Sequence, residues 1–248
     1  MTALLNRRVI DPEALGELLR SGQVRRAPPG WPDSPGSPEL PRAPRQLPLG
    51  VPAFDAALGG GLTRGWLHEI IAPPSAGGTA LLRAALGAAT RAGELCALID
   101  PADAFDPAPS DIDLRRLLWV RPREPAQALR AVEIALEARF ALVALDLGAL
   151  PTRRAPHGSP DLNDLKWSRL GRRAERHGGA VLVLTRSAQA GSFAQVTLEL
   201  QRGAVRWEGK AGLPGRLLRG ASSVGAVARA RRLSPSGPLP LLLPLEQR

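Results

Sequence analysis

The residues with the clearest chemical potential lie in the stretch IAPPSAGGTA, at positions 71–80. This stretch follows the apolar run WLHEII and has the length and glycine content of a loop that wraps phosphates. The pattern of such loops is G-x-x-x-x-G-K-[ST], in which backbone N–H groups hold phosphates, the lysine neutralises them and the hydroxyl binds magnesium. The aligned residues here are Ala72, Gly77, Gly78 and Thr79, so the first glycine and the lysine are replaced. We therefore expect no tight ATP binding, because only backbone donors and a helix N-terminus remain.

Composition limits the classes of protein that can position this loop. The 248 residues are 44% hydrophobic and 4% aromatic, enough to bury one sizeable core made mostly of Leu, Ala and Val. There is no apolar run of membrane-spanning length, and the N-terminus reaches charged residues before a signal-like segment could form. We expect a cytoplasmic protein without a membrane partner. The single cysteine, Cys96, lies in the apolar run LCALID and is predicted to be a core residue, and three scattered histidines show no metal-binding spacing.

The net charge of +10 is concentrated toward the end of the chain. Residues 201–248 carry nine Lys and Arg against two Asp and Glu, whereas residues 49–150 carry nine against twelve. Such asymmetry is typical of contact with nucleic acid or an acidic partner. The alternative is arginine enrichment through genome composition, since Lys166 and Lys210 are the only lysines and tyrosine is absent.

Apolar runs of strand length alternate with helical stretches between residues 49 and 210. The runs are WLHEII, LCALID, FALVALDL and AVLVLT, and helices are predicted near 78–92, 125–139 and 162–177. This alternation predicts an α/β fold with a mostly parallel sheet flanked by helices. Two further runs, QVTLEL and AVRWEG, flank QRG and are predicted to pair as a hairpin at the sheet edge.

Two flanking regions complete the predicted organisation. Residues 1–26 include a short helical element, with Leu15, Leu18 and Leu19 on one face, and residues 27–48 form a proline-rich linker. Residues 211–248 alternate basic and small residues before a proline-rich end, which predicts a flexible basic tail. This tail has two interpretations. In the first, its arginines contact phosphates and give weak DNA binding; in the second, the tail is basic but solvated. The arginines are Arg216, Arg219, Arg229, Arg231 and Arg232.

The run from Leu47 to Pro107 resembles the start of the RecA recombinase core: a glycine-rich turn, a strand, the phosphate loop, a helix, and a strand ending in aspartate. The resemblance extends over about residues 47–208. It implies that Asp106 corresponds to an aspartate near the adenine site and Asp146 to the acidic residue that supports magnesium, although Asp146 could equally end a buried strand. It also aligns Ala102 with the general base, with Asp103 one place away, and puts Thr185 and Arg186 where the family has a nucleotide-sensing glutamine.

Within this family the chain is most similar to the ImuA-like group of RecA-related accessory proteins. The shared features are the opening LPLGVPAFDAALGGGLTRG, an impaired phosphate loop and a variable C-terminal tail. The resemblance implies a non-catalytic accessory protein of the SOS response to DNA damage, supporting mutagenic translesion synthesis through RecA or an inactive-polymerase-like partner. In this setting Leu15, Leu18 and Leu19 would contact a neighbouring core, unless the helix folds back on its own core.

Two alternatives from other classes stay open. One is a RecA-like cell-division inhibitor of the SulA type, which needs neither nucleotide nor DNA. The other is a residual DNA-dependent ATPase, which would have to turn over nucleotide despite Gly78 and Ala102.

Overall fold

An eight-stranded sheet forms the centre of the computed structural model, which describes residues 46–107, 111–150, 164–209, 217–230 and 238–244. The strand order is β10-β9-β8-β3-β7-β6-β4-β5, and a separate two-stranded ribbon is made by β1 (Gln46–Leu47) and β2 (Leu62–Thr63). The sheet strands are β3 (Leu67–Ile71), β4 (Cys96–Ile99), β5 (Leu117–Val120), β6 (Leu142–Asp146), β7 (Ala180–Thr185), β8 (Val196–Glu208), β9 (Leu217–Ala230) and β10 (Leu239–Pro244). From β8 to β5 the pairing is parallel, and β9 and β10 are antiparallel.

Helices cover both faces of this sheet, which confirms the predicted α/β fold. They are α1 (Pro52–Ala57), α2 (Gly78–Arg91), α3 (Pro125–Glu137) and α4 (Asp164–His177). The α1 and α2 helices pack on one face and α3 and α4 on the other, so that β3, β4, β6 and β7 contribute alternate side chains to two hydrophobic cores. Burial on both faces explains why the central strands are continuous apolar runs.

The predicted hairpin at QRG is wrong. QVTLEL and AVRWEG belong to one strand, β8, which pairs with β9 instead. The register slips between Arg202 and Val205, where Gly203 and Ala204 together oppose Ser222. A Cβ atom at Gly203 would lie 2.6 Å from the Ser222 hydroxyl oxygen, so this glycine permits a bulge. The turn signal in the sequence therefore marks a bulge within a strand.

The prediction of a flexible tail from residue 211 is also wrong for the part that the structure describes. Residues 217–230 form β9 and residues 239–244 form the edge strand β10. The small residues of β9 have a packing reason, because a Cβ atom at Gly225 would collide with the Phe54 ring. The prolines of β10 lie on an edge strand, where a missing N–H donor is tolerated.

Other predicted features fall outside the described residues. These are the N-terminal element with Leu15, Leu18 and Leu19, most of the proline-rich linker, and Arg216, Arg231 and Arg232 of the tail. Among the helices that the structure describes, none combines the length and the apolar character needed to cross a membrane.

Candidate functional site

The loop between β3 and α2 lies at the carboxyl edge of the sheet. Its backbone is fixed by two hydrogen bonds: the Ala72 N–H donates to the Thr185 carbonyl at 2.8 Å, and the Ala76 N–H donates to the Pro73 carbonyl at 3.0 Å. Ser75 and Gly77 have φ angles of 63° and 86°, so the chain turns twice through the left-handed region before α2 begins. The shape is that of a loop that delivers a helix N-terminus to the edge where ligands of open α/β sheets bind.

The space around Gly78 is filled by apolar groups. A Cβ atom at this position would lie 2.6 Å from the Ala72 Cβ atom and 2.6 Å from a Leu184 methyl carbon. Ala72 and Leu184 are themselves buried members of the hydrophobic core on the α2 side. Gly78, the residue aligned with the lysine of the phosphate-loop pattern, is therefore bordered by core side chains at contact distance. Thr79, the next residue, is exposed at the start of α2.

Two buried carboxylates lie beside each other at the ends of β4 and β6. The register pairs Ile99 with Leu145, which brings the next residues, Asp100 and Asp146, together. Asp146 is 3% exposed and its Oδ1 atom accepts a hydrogen bond from the Gly148 N–H at 2.8 Å. The pKa of Asp146 is raised to about 6, mainly by burial and to a lesser extent by the Asp100 charge, against backbone hydrogen bonds that lower it. Asp146 thus lies at the carboxyl edge of the sheet, the same edge that carries the loop after β3.

Asp100 organises the segment that contains the aligned general-base position. Its two carboxylate oxygens accept hydrogen bonds from the Ala104 and Phe105 N–H groups, at 3.1 and 3.0 Å. This turn leaves Asp103 exposed, with a φ angle of 50°, in a salt bridge with Arg121 at 2.8 Å. Asp103 is thus engaged with an arginine at the rim, and the partly buried neighbour, Ala102, carries no proton-transfer group.

Asp106 lies on the surface beyond this turn. Arg83 of α2 donates to the Asp106 backbone carbonyl at 2.8 Å and lies over the Phe105 ring, 5.7 Å from its centroid. The hydrogen bond from Arg83 to its main-chain carbonyl therefore holds Asp106 next to α2.

The end of β7 contains a second hydrogen-bonded group. The Thr185 hydroxyl donates to Glu69 Oε1 at 3.2 Å, and the Gln189 N–H donates to the same oxygen at 2.7 Å. Glu69 is buried, and its other oxygen, Oε2, has no hydrogen-bond partner among the described residues. Arg186 donates to the Gly148 carbonyl at 2.5 Å. Thr185 and Arg186 thus hold the β7 loop to β3 and to the segment after β6.

Arginines of β8 and β9 bind carbonyls and carboxylates of the protein itself. Arg202 donates to the Pro74 carbonyl at 2.6 Å and so contacts the loop from the side. Arg219 pairs with Glu208 across the hairpin, and Arg229 donates to the Gly191 carbonyl at 2.8 Å. Two of the five predicted tail arginines therefore lie on a strand, which corrects the prediction that they belong to a flexible tail. Among the described residues, no cluster of three acidic, His or Cys residues forms a metal site.

Sequence reasoning missed several residues of this region. Asp100 ends an apolar strand in the same way as Asp146, so its position was a usable signal. Glu69 is a lone charge within WLHEII, which is itself a sign of a buried, hydrogen-bonded role. Leu184 and Arg202 had no signal, because their contacts with the loop depend on strand order.

Comparison with known proteins agrees with this architecture. Residues 44–161 match the family model of the RecA N-terminal domain. This part of the chain is therefore similar to the RecA N-terminal domain. Protein RecA of Gloeothece citriformis (strain PCC 7424) is 37% identical over 90 residues, which are 35% of this chain and 25% of that protein. Protein RecA of Clavibacter michiganensis subsp. michiganensis (strain NCPPB 382) is 39% identical over 114 residues, 44% of this chain and 32% of that protein.

The structural comparison covers more of the molecule. The crystal structure of the RadB recombinase superposes with a TM-score of 0.58 at 19% identity, covering 79% of this chain and 94% of that chain. At this identity the likeness establishes the fold alone. In sequence, the matched segments span only about a quarter to a third of the RecA proteins.

Proposed function

We propose that this RecA-related chain is a non-catalytic accessory protein of the DNA damage response. It supports error-prone translesion synthesis by binding RecA filaments, a mutagenic polymerase partner, or both. The observation that carries the proposal is the closed space at Gly78, which the Ala72 and Leu184 side chains border at contact distance. A loop that has lost its cation and filled the site with core residues favours a shape-based role over nucleotide turnover.

The residues that remain do not fit a tightly held nucleoside triphosphate. The α2 N-terminus offers backbone donors, and Thr79 offers a hydroxyl, but both contributions are modest without the lysine. Asp146, the aligned magnesium-supporting residue, has a pKa of about 6 because it is buried. Asp103, the carboxylate nearest the aligned general-base position, pairs with Arg121.

A recombinase-shaped surface is what such an accessory protein requires. RecA-related folds give it the geometry to meet a related core by capping or loosening a filament, so that a low-fidelity polymerase reaches the damaged strand. Weak DNA contact through basic residues of the C-terminal region is compatible with this role, since β8 and β9 carry several arginines.

The experiment that tests the proposal is single-strand-dependent ATP hydrolysis by a RecA recombinase, with and without this protein. This protein alone, with single-stranded DNA and ATP, is the control reaction. We expect no hydrolysis in the control and a dose-dependent change of RecA turnover in the mixture. Hydrolysis in the control reaction would refute the non-catalytic assignment. A silent control with unchanged RecA turnover would refute direct recombinase control and leave the polymerase partner to be tested by pull-down.

A further inference from the structure

The outer part of the β8–β9 hairpin presents an apolar surface to solvent. Val205 is 52% exposed, Trp207 49% and Leu218 40%. Val205 and Trp207 are two residues apart on β8, and Trp207 pairs directly with Leu218 across the hairpin. We call these three residues the distal apolar face.

The distal apolar face continues the inner face of the hairpin. Closer to the sheet, Leu198 pairs with Val227 and Leu200 pairs with Gly225, and all four residues are buried against the α2-side core. The bulge at Gly203 keeps Val205 on the same face as these leucines, because two residues of β8 oppose one of β9 there. The hairpin thus extends a core surface beyond the helices that cover it.

The small exposed area of this face favours binding by a segment of the same chain over binding by a separate protein. Its exposed area is on the order of 250 Å², estimated from half-exposed aromatic and aliphatic side chains. A stable complex between separate proteins buries about 800 Å² per partner. A segment of the same chain needs much less contact, because a flexible tether supplies an effective concentration of about a millimolar.

The N-terminal segment carries apolar and charged residues that complement this face. Residues 11–26, DPEALGELLRSGQVRR, carry Leu15, Leu18 and Leu19 at helical spacing. Three acidic residues lie in the first half of this segment, and Arg202 lies on the same face of β8 as Val205 and Trp207. Apolar and charge patterns are therefore complementary.

The linker is long enough to make the connection. Gln46 pairs with Thr63, which binds His68, and His68 pairs with Val196, so the chain enters the fold level with the start of β8. From Val196 to Trp207 the strand rises about 36 Å, at about 3.3 Å per residue. The nineteen residues from 27 to 45 reach about 59 Å in a proline-rich extended conformation.

We propose that residues 11–26 dock in cis on the distal apolar face, with Leu15, Leu18 and Leu19 covering Val205, Trp207 and Leu218. The sequence leaves two destinations open for residues 11–26, a neighbouring core or the core of the same chain. The distal apolar face favours the core of the same chain. The docked segment lies beside the loop that Arg202 contacts. This proposal concerns the chain's own assembly and does not depend on the partner proposed above.

Disulfide trapping in the full-length chain tests it. One variant carries V205C and L18C, and the matched control carries V205C and E17C, because Glu17 lies on the opposite side of a helix from the three leucines. The native thiol, Cys96, is buried and does not compete. We expect an intrachain disulfide to form about tenfold faster with L18C than with E17C, because docking raises the effective concentration on one helix face only. Far-UV circular dichroism of the reduced forms checks that both variants fold.

Two outcomes would overturn the proposal. Equal rates for the two pairs would mean that the tether meets the hairpin without a docked face. Disulfides that form only between chains, and more often at higher protein concentration, would mean docking on a second copy. An independent measurement uses L15S/L18S/L19S, which should increase acrylamide quenching of the Trp207 fluorescence, obtained by difference from W207F. Unchanged quenching contradicts the proposal as well.

Discussion

Replacement of Asp146 by asparagine should stabilise the protein more at neutral pH than in acid. In the folded chain the pKa of Asp146 is raised to about 6 from an ordinary value of 3.8. Between these values the folded state holds a proton that the unfolded state has released, so stability falls as pH rises through this window. Asparagine is nearly isosteric with the protonated acid, and its carbonyl can still accept from the Gly148 N–H.

The magnitude follows from the two pKa values. The difference of roughly two units corresponds to about 3 kcal/mol that the ionised carboxylate costs at neutral pH. Part of that cost is already present in mild acid, so the stability advantage of D146N should grow by about 2 kcal/mol between about pH 4.5 and pH 7.5.

Urea unfolding at the two pH values, followed by far-UV circular dichroism, measures this advantage for wild type and D146N in parallel. The acid measurement is the internal control, since the native Asp146 is mostly protonated there. Groups that do not interact with Asp146 affect both proteins equally and cancel in the difference. An advantage that stays constant across the range, or that shrinks toward neutral pH, would refute the reasoning that burial and Asp100 raise the pKa of this carboxyl.

Three further predictions test other parts of the structure. G78A should destabilise the protein by about 1–3 kcal/mol through overpacking, whereas G171A, at a helical glycine with open space, should stabilise it by about 0.5–1 kcal/mol, both read from thermal or urea unfolding. His68 is neutral when folded, with its pKa lowered by burial to about 4, so stability should be lost as pH falls from about 6.5 to 4; in urea titrations H68Q should lack this loss and be about 1 kcal/mol less stable at neutral pH. If β9 contacts DNA, R229A should reduce the slope of log affinity against log salt by about 0.7 in single-strand binding by fluorescence anisotropy, whereas R115A should not; equal slopes for both would exclude Arg229 from the contact.

The central part of the fold was predictable because its signals are local. The apolar runs that became β3, β4, β6 and β7 are buried on both faces, and continuous burial gives a continuous apolar pattern. The helices predicted near 78–92, 125–139 and 162–177 correspond to α2, α3 and α4, with ends displaced by at most two residues.

The C-terminal strands were not predictable from local pattern. A glycine between two strand-like runs, such as Gly203, usually indicates a turn. Here the approach of Ser222 from β9 makes it part of a bulge instead. The Ala, Gly and Ser residues of β9 have low strand propensity, but the Phe54 ring of α1 requires small residues opposite it. Non-local contacts, which a single sequence does not display, decided both cases.

The residue types of the candidate site were visible in the sequence, but the contacts that surround them were not. That residue 78 is a glycine and not a lysine is visible in the sequence, but the approach of Leu184 to Gly78 depends on β7 lying next to β3. The Arg202 contact with Pro74 likewise depends on β8 lying on the other side of β3.

Leu184 links the space at Gly78 to the surroundings of Asp146. It borders Gly78 and pairs in the sheet with Asp146, so the same leucine lies next to both positions. An ammonium group in this space would favour the ionised form of a nearby carboxylate. With an apolar methyl there instead, Asp146 is desolvated and its charged neighbour is another acid, Asp100. Ionisation of Asp146 therefore costs free energy in this setting, where burial and a second acid both favour the protonated form.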